Sequence, residues 1–261
     1  MPVDDVDGHY DKLSRDELLR IARSLHWMHA IDLGDGFVTT GDWGPLFDHK
    51  LQAFSAIDFR GAKVLDIGCW DGLFSFEAER RGAAEVYATD LVSQRPLTDH
   101  PTLLVARAAR KSSVRYFPDV SVFDIEKLGV RDFDVVIFSG VYYHLKDPLR
   151  ALARLRRVMK DGARIYVEGA VLNKPGCYAA FHYRAPYCGD YSNWWVPTRT
   201  CLVQWLECSY FAVDKEYGPW GHGEIWRTVL LGRAIRGSNS LYGVTDELLD
   251  EFSRPAQPIV R

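Results

Sequence analysis

No apolar run among the 261 residues approaches the roughly 18 needed to span a membrane. The acidic start Pro2-Val3-Asp4-Asp5-Val6-Asp7 lacks the basic flank of a secretory signal, so a cytoplasmic protein with no membrane partner is expected. The five cysteines, Cys69, Cys177, Cys188, Cys201 and Cys208, are odd in number and contain no CxxC pair. That pattern excludes a disulfide framework and a zinc cluster as leading readings and favours reduced thiols. There is no excess of basic charge either: the formal net charge is −3, which gives no general attraction to nucleic acid and argues against RNA as the partner. Internal repeats and low-complexity tracts are absent.

What is present is an alternation of strand-like and helix-like segments from Gly61 onward. Strands are expected at Lys63–Ile67, Glu85–Thr89, Val114–Phe117, Phe133–Phe138 and Arg164–Glu168, with helices at Asp71–Arg81, Pro101–Lys111 and Asp147–Lys160. Asp147 is placed to cap the last of these, with Pro148 in its first turn. Repeated βα units imply an α/β fold, a doubly wound, mostly parallel seven-stranded sheet. A helix over Arg199–Ser209, capped by Thr198, then gives way to two successive strands, Ala212–Glu216 and Ile225–Gly232, which form an antiparallel C-terminal hairpin. Ahead of the sheet, Ser14-Arg15-Asp16-Glu17 reads as a capping box for a helix running to about Met28, followed by a loop or short hairpin over 31–44 and a helical segment over 47–56. The expected organisation is an N-terminal helical segment over 1–60, a main domain over 61–235 with an aromatic insertion at about 172–197, and a C-terminal helix and frayed tail over 236–261.

Two strand ends carry the chemistry. The first strand closes on Asp66-Ile67-Gly68-Cys69-Trp70-Asp71-Gly72, the second on Asp90-Leu91. In an open α/β sheet, ligands sit beyond the carboxyl ends of the strands. Glycines there let backbone approach a ligand closely, and an acidic residue at the neighbouring strand end can accept from both ribose hydroxyls. Asp66, Gly68, Cys69, Trp70, Gly72, Asp90 and Leu91 are therefore expected to bind a nucleoside. Phe123-Asp124-Ile125 would hold an adenine ring, Asp124 accepting from its amine, and Ser139 closes the fourth strand beside them. The spacing Gly68-x-x-x-Gly72 is not the GxGxxG of dinucleotide folds, which counts against a pyrophosphate cofactor.

With these residues in this order, the segment from Gly61 to the last strand resembles the class I S-adenosylmethionine-dependent methyltransferases. That resemblance implies S-adenosylmethionine as cofactor and S-adenosylhomocysteine as product. Trp70 stands where the family usually has a middle glycine. A narrower likeness lies in 138–148, Asn193-Trp194-Trp195-Val196-Pro197-Thr198 and His29-Ala30-Ile31-Asp32-Leu33-Gly34-Asp35-Gly36, which look like segments of the enzymes that carboxymethylate the wobble uridine of tRNA. In that family, residues matching Tyr143 and Arg227 help hold a carboxylated cofactor. No lysine aligns to complete that grip, Asp48 and Lys50 being merely nearby, and the stretch ahead of the domain is shorter. Ordinary S-adenosylmethionine and a methyl group are therefore expected.

The acceptor atom is expected to be a hydroxyl, or else a nitrogen or carbon nucleophile; methyl transfer needs alignment and exclusion of water, and a hydroxyl or a weakly acidic carbon also needs a base in reach. His144, just past the fourth strand, is the first candidate base, with Tyr143 beside it; His182, His222 and Glu168 are others. His29, Tyr143, His182, Trp194, Trp195 and Arg227 are candidates for contact with the acceptor. The density of aromatic residues from Tyr178 to Trp195, Tyr187 and Tyr191 included, suggests a small aromatic or natural-product-like acceptor. His26 and His29 stand at helical i, i+3 spacing without a third ligand, and no metal is expected. Three readings stand: a small-molecule methyltransferase, a tRNA wobble-uridine modifying enzyme, and a non-catalytic S-adenosylmethionine-binding protein, in each case a monomer or homodimer.

Overall fold

The computed structural model describes residues 8–42, 46–91, 101–183 and 192–236. Cys188, Tyr187, Tyr191 and the expected C-terminal helix and tail beyond 236 lie outside them. The chain divides into two compact units, one comprising the residues up to Ser121 together with Phe133–Ser139, the other Val122–Asp132 and the residues from Gly140 on.

In the first unit, helix α1 (Arg15–Ser24) begins at the expected capping box. Ser14 accepts from the Glu17 backbone while the Glu17 carboxylate reaches back to the Ser14 amide. It ends earlier than the periodicity suggests. Leu25 turns to extended backbone, Trp27 leaves to bridge Gly41, and the indole N–H of Trp27 donates to the Ala22 carbonyl at 2.8 Å. A tight hairpin follows, with Asp32 bridging Val38. Then come α2 (Leu46–Phe54), β1 (Lys63–Ile67), α3 (Leu73–Arg80), β2 (Glu85–Asp90), α4 (Thr102–Arg110), β3 (Arg115–Pro118) and β4 (Phe133–Ser139). Strand β1 pairs in parallel with both β2 and β4, and β2 with β3. β1 and β2 are almost wholly buried, as their continuous apolar runs require of strands covered on both faces.

In the second unit, a 3₁₀ segment over Val122–Leu128 and another over Tyr142–His144 precede α5 (Pro148–Val158), with Asp147 accepting from the Arg150 amide and Pro148 in the first turn. Next are β5 (Met159–Leu172), the two-stranded ribbon β6 (Ala179–Phe181) and β7 (Trp195–Pro197), α6 (Arg199–Cys208) capped by Thr198, β8 (Phe211–His222) and β9 (Ile225–Ala234). β9 runs antiparallel to β5 and to β8.

The seven strands take the order β3-β2-β1-β4-β5-β9-β8, the mostly parallel sheet with an antiparallel β9-β8 hairpin expected from the pattern. β5 is far longer than Arg164–Glu168. Its outer half is completed by Gly169, where an added Cβ would fall 2.5 Å from Cε1 of Tyr142. Cys69, Cys177, Cys201 and Cys208 are thiols outside any disulfide. No helix among the described residues is long and apolar enough to cross a membrane.

Candidate functional site

The loop from Gly68 to Gly72 is folded by its own backbone. The amides of Gly68 and Cys69 both donate to the Thr89 carbonyl, at 2.9 and 3.0 Å, and the Gly72 amide returns to the Cys69 carbonyl at 2.8 Å. These bonds force left-handed backbone at Gly68 (φ 67°), Trp70 (φ 50°) and Gly72 (φ 87°). Two of the positions are glycine, for which that region costs nothing; the third is not. At Gly72 space is short as well, since a Cβ would meet Cε2 of Phe76 at 2.8 Å.

Asp90 ends β2 and restrains this loop. One carboxylate oxygen accepts from the Trp70 amide and the other from the Leu91 amide, both at 2.7 Å. Asp66 lies behind, 2% exposed, and accepts from the Ser75 hydroxyl at 2.6 Å. Burial lifts its carboxyl to about 7, against the Ser75 hydrogen bond and with help from the Asp90 charge. Asp66 thus ties the end of β1 to α3 within the core. Ser139 sits half-buried as the last residue of β4.

Asp71 is a residue the motif contains but sequence reasoning gave no role. It is wholly buried, and its two oxygens accept from the backbone amide of His29 at 2.8 Å and from His29 Nδ1 at 2.6 Å. The segment carrying His29 is itself pinned. Thr39 Oγ1 donates to the His29 carbonyl and accepts from the Ile31 amide, and Gly41 passes so close that a Cβ there would lie 2.4 Å from the His29 carbonyl carbon. His26 goes elsewhere, to Asp42 at 2.6 Å.

In the second unit the candidates form one connected group. Arg227 is 8% exposed and Glu168 1%; the guanidinium closes on both carboxylate oxygens, at 2.6 and 3.0 Å, and Nη2 also donates to the Tyr143 hydroxyl at 3.1 Å. Burial works to lower the Arg227 pKa, but Glu168 and Tyr143 outweigh it and the group is held above the ordinary arginine range. The Tyr143 carbonyl accepts from the Trp194 amide at 2.7 Å, and the Trp194 carbonyl from the His182 amide at 2.8 Å. His144 Nδ1 meets the Ser192 hydroxyl at 2.9 Å, and Trp195 Nε1 donates to the Lys146 carbonyl. The rings of Phe181, Tyr183, Trp194 and Trp195 stand 4.7–6.3 Å apart, and Lys146 lies over Trp194. Phe123, Asp124 and Ile125 are on the Val122–Leu128 turn. Ile125 is buried, Phe123 packs under the Arg150 guanidinium, and Asp124 pairs with Lys127 at 3.2 Å.

A family model described as a methyltransferase domain matches residues 44–207. The chain belongs to that family. Among curated proteins it is 25% identical over 173 residues to the tRNA U34 carboxymethyltransferase of Dichelobacter nodosus, covering 66% of this chain and 53% of that protein. It is 28% identical over 216 residues to that of Methylococcus capsulatus, covering 77% and 60%. The chain thus spans about half the length of the curated relatives it matches. Among solved structures, the N-terminal domain of EvdMO1 with SAH and D-fucose has a TM-score of 0.64 at 16% identity, covering 86% of this chain and 98% of that one. The 1,6-didemethyltoxoflavin-N1-methyltransferase of Burkholderia thailandensis has a TM-score of 0.56 at 18% identity, covering 75% and 80%. The fold is that of the S-adenosylmethionine-dependent methyltransferases, and the cofactor of such a methyltransferase domain is S-adenosylmethionine. The residues present fit it: left-handed backbone at the end of β1 and a carboxylate at the end of β2 that also holds the loop suit an adenosyl group.

Proposed function

We propose that the chain transfers the methyl group of S-adenosylmethionine to a hydroxyl of a small, aromatic or natural-product-like acceptor. When bound, the cofactor supplies an electrophilic methyl carbon on a sulfonium with a good leaving group. The protein's share is then to align the acceptor and keep water out. The Gly68–Gly72 loop and Asp90 would hold the nucleoside. The observation that carries the acceptor class is the close set of rings at Phe181, Tyr183, Trp194 and Trp195, a surface suited to stacking against a flat molecule. An ordinary cofactor, without an added carboxylate, is supported by Arg227, whose fork is already closed on Glu168 and which brings no uncompensated charge to a further anion.

A second reading is a wobble-uridine modifying enzyme, supported by the names of the curated relatives and opposed by the net charge of −3. One experiment separates them. Protein is incubated with methyl-labelled S-adenosylmethionine, a set of substituted phenols and total tRNA, and label is counted in the organic extract and in acid-precipitated RNA. Label in the extract is the expected outcome. Label confined to RNA would replace the proposal by the second reading, and label retained by the protein without transfer would leave a binding protein.

A further inference from the structure

We propose that His29 is the general base of this methyltransferase and that Asp71 is its positioning residue. The proposal rests on the transferase reading above and assigns the proton acceptor within it. A carboxylate can only accept, so the 2.6 Å contact of Asp71 Oδ1 with His29 Nδ1 places the hydrogen on Nδ1. In the neutral ring the lone pair is then on Nε2, and any proton taken up must go there. The second Asp71 oxygen grips the His29 backbone amide at 2.8 Å, so one carboxylate fixes both the ring and the main chain that carries it.

Position and environment agree with this role. Asp71 sits between Trp70 and Gly72, within the loop at which the cofactor binds, and is wholly buried, whereas the His29 side chain keeps 12% exposure. The ring packs edge-on to Phe74, 6.3 Å between centres, in the first turn of the helix that leaves the loop. Asp71 is in contact with the ring, and Asp66 lies behind it. His144, by comparison, meets the hydroxyl of Ser192 in an exposed contact. An acceptor oxygen forms a bond to the methyl carbon, the carbon–sulfur bond breaks with its electron pair remaining on sulfur, and the hydroxyl proton passes to His29 Nε2, from which it is lost to solvent.

His29→Asn separates this from a structural tie. The Asn amide can still donate to Asp71 as Nδ1 does, but it cannot take a proton. With 4-substituted phenols as acceptors, H29N is expected to bind S-adenosylhomocysteine as the wild type does by calorimetry. It should methylate un-ionised phenols at least about 100-fold more slowly, within the range general bases contribute. It should nearly keep the rate with 4-nitrophenol, which is largely ionised at alkaline pH and needs no base. Equal rates for H29N and wild type on un-ionised phenols would overturn the proposal. The second readout needs no turnover: nitrogen NMR of the wild type with S-adenosylhomocysteine should show His29 as the Nδ1–H tautomer. In Asp71→Asn an amide N–H₂ must replace one of the two acceptors, and that preference should be lost. An Nε2–H tautomer in the wild type would equally overturn the assignment. Failure of the wild type to methylate any phenol would instead count against the transferase reading, with the tautomer still deciding the dyad.

Discussion

Arg227 reaches Glu168 diagonally across the antiparallel β5–β9 pair: Ala170 stands directly opposite Arg227, and Glu168, two residues earlier on the same face, receives the guanidinium on both oxygens. The register makes the pair, and burial makes it sensitive to single changes.

Glu168→Gln would leave a buried guanidinium without its counter-charge. A loss of about 3–5 kcal/mol is expected, as for other buried pairs broken on one side. The double change E168M/R227M should restore much of it, because two apolar side chains leave no charge stranded. Urea unfolding of the three proteins checks this; an E168Q protein as stable as wild type would show that the pair is dispensable.

Asp66 gives a pH-dependent prediction. Its carboxyl is lifted by burial to about 7 in the folded protein from an ordinary value of 3.8. A raised carboxyl favours the folded state while protonated. That contribution is complete below the ordinary value and is lost as pH climbs through about 7. By the usual conversion the full swing is on the order of 4 kcal/mol. Asp66→Asn, which cannot ionise, should therefore gain stability relative to wild type between pH 4 and pH 8, read as the difference between their urea midpoints across that range. A pH-independent difference would contradict the neutral, buried state.

Asp90→Ala should weaken S-adenosylhomocysteine binding by roughly 1–3 kcal/mol, the scale of a lost buried hydrogen-bonding group. Part of that loss comes from the loop rather than the sugar, since the Trp70 and Leu91 amides lose their acceptor together. Calorimetry beside a melting curve tells the two apart: intact affinity in a folded D90A protein would remove Asp90 from the ribose.

Gly72→Ala tests the shape of the loop. The new methyl would face Cε2 of Phe76 at 2.8 Å from a backbone at φ 87°. A destabilisation of about 1–3 kcal/mol is expected, seen as a lower melting temperature. Gly61→Ala, also left-handed but in open space, should cost only the backbone part.

Much of the sheet was legible because its signals are local. The buried runs of β1, β2 and β4, the caps Ser14, Asp147 and Thr198, and the hairpin at the end of the chain each show in a few consecutive residues. What escaped depends on partners far away in sequence. The outer half of β5 carries Gly169, which reads as a strand breaker until Tyr142 is seen to lie where its side chain would be. The first helix stops short because Trp27 is drawn to Gly41. The hold of Asp71 on His29 joins residues 42 apart, and nothing in either neighbourhood announces the other. An arginine within the apolar run of the last strand needs a partner. That the partner is Glu168 follows from a register that only the folded β5–β9 pair fixes.

The left-handed turn at Trp70 bears on how this protein assembles. An indole-bearing residue left to itself avoids that conformation by roughly 1–2 kcal/mol, and here the Asp90 carboxylate, twenty residues further on, fastens its amide. The cradle therefore cannot ripen on a nascent β1 alone. It is expected to take shape only after β2 has docked, and to slacken early when the protein is warmed, before the rest of the sheet gives way.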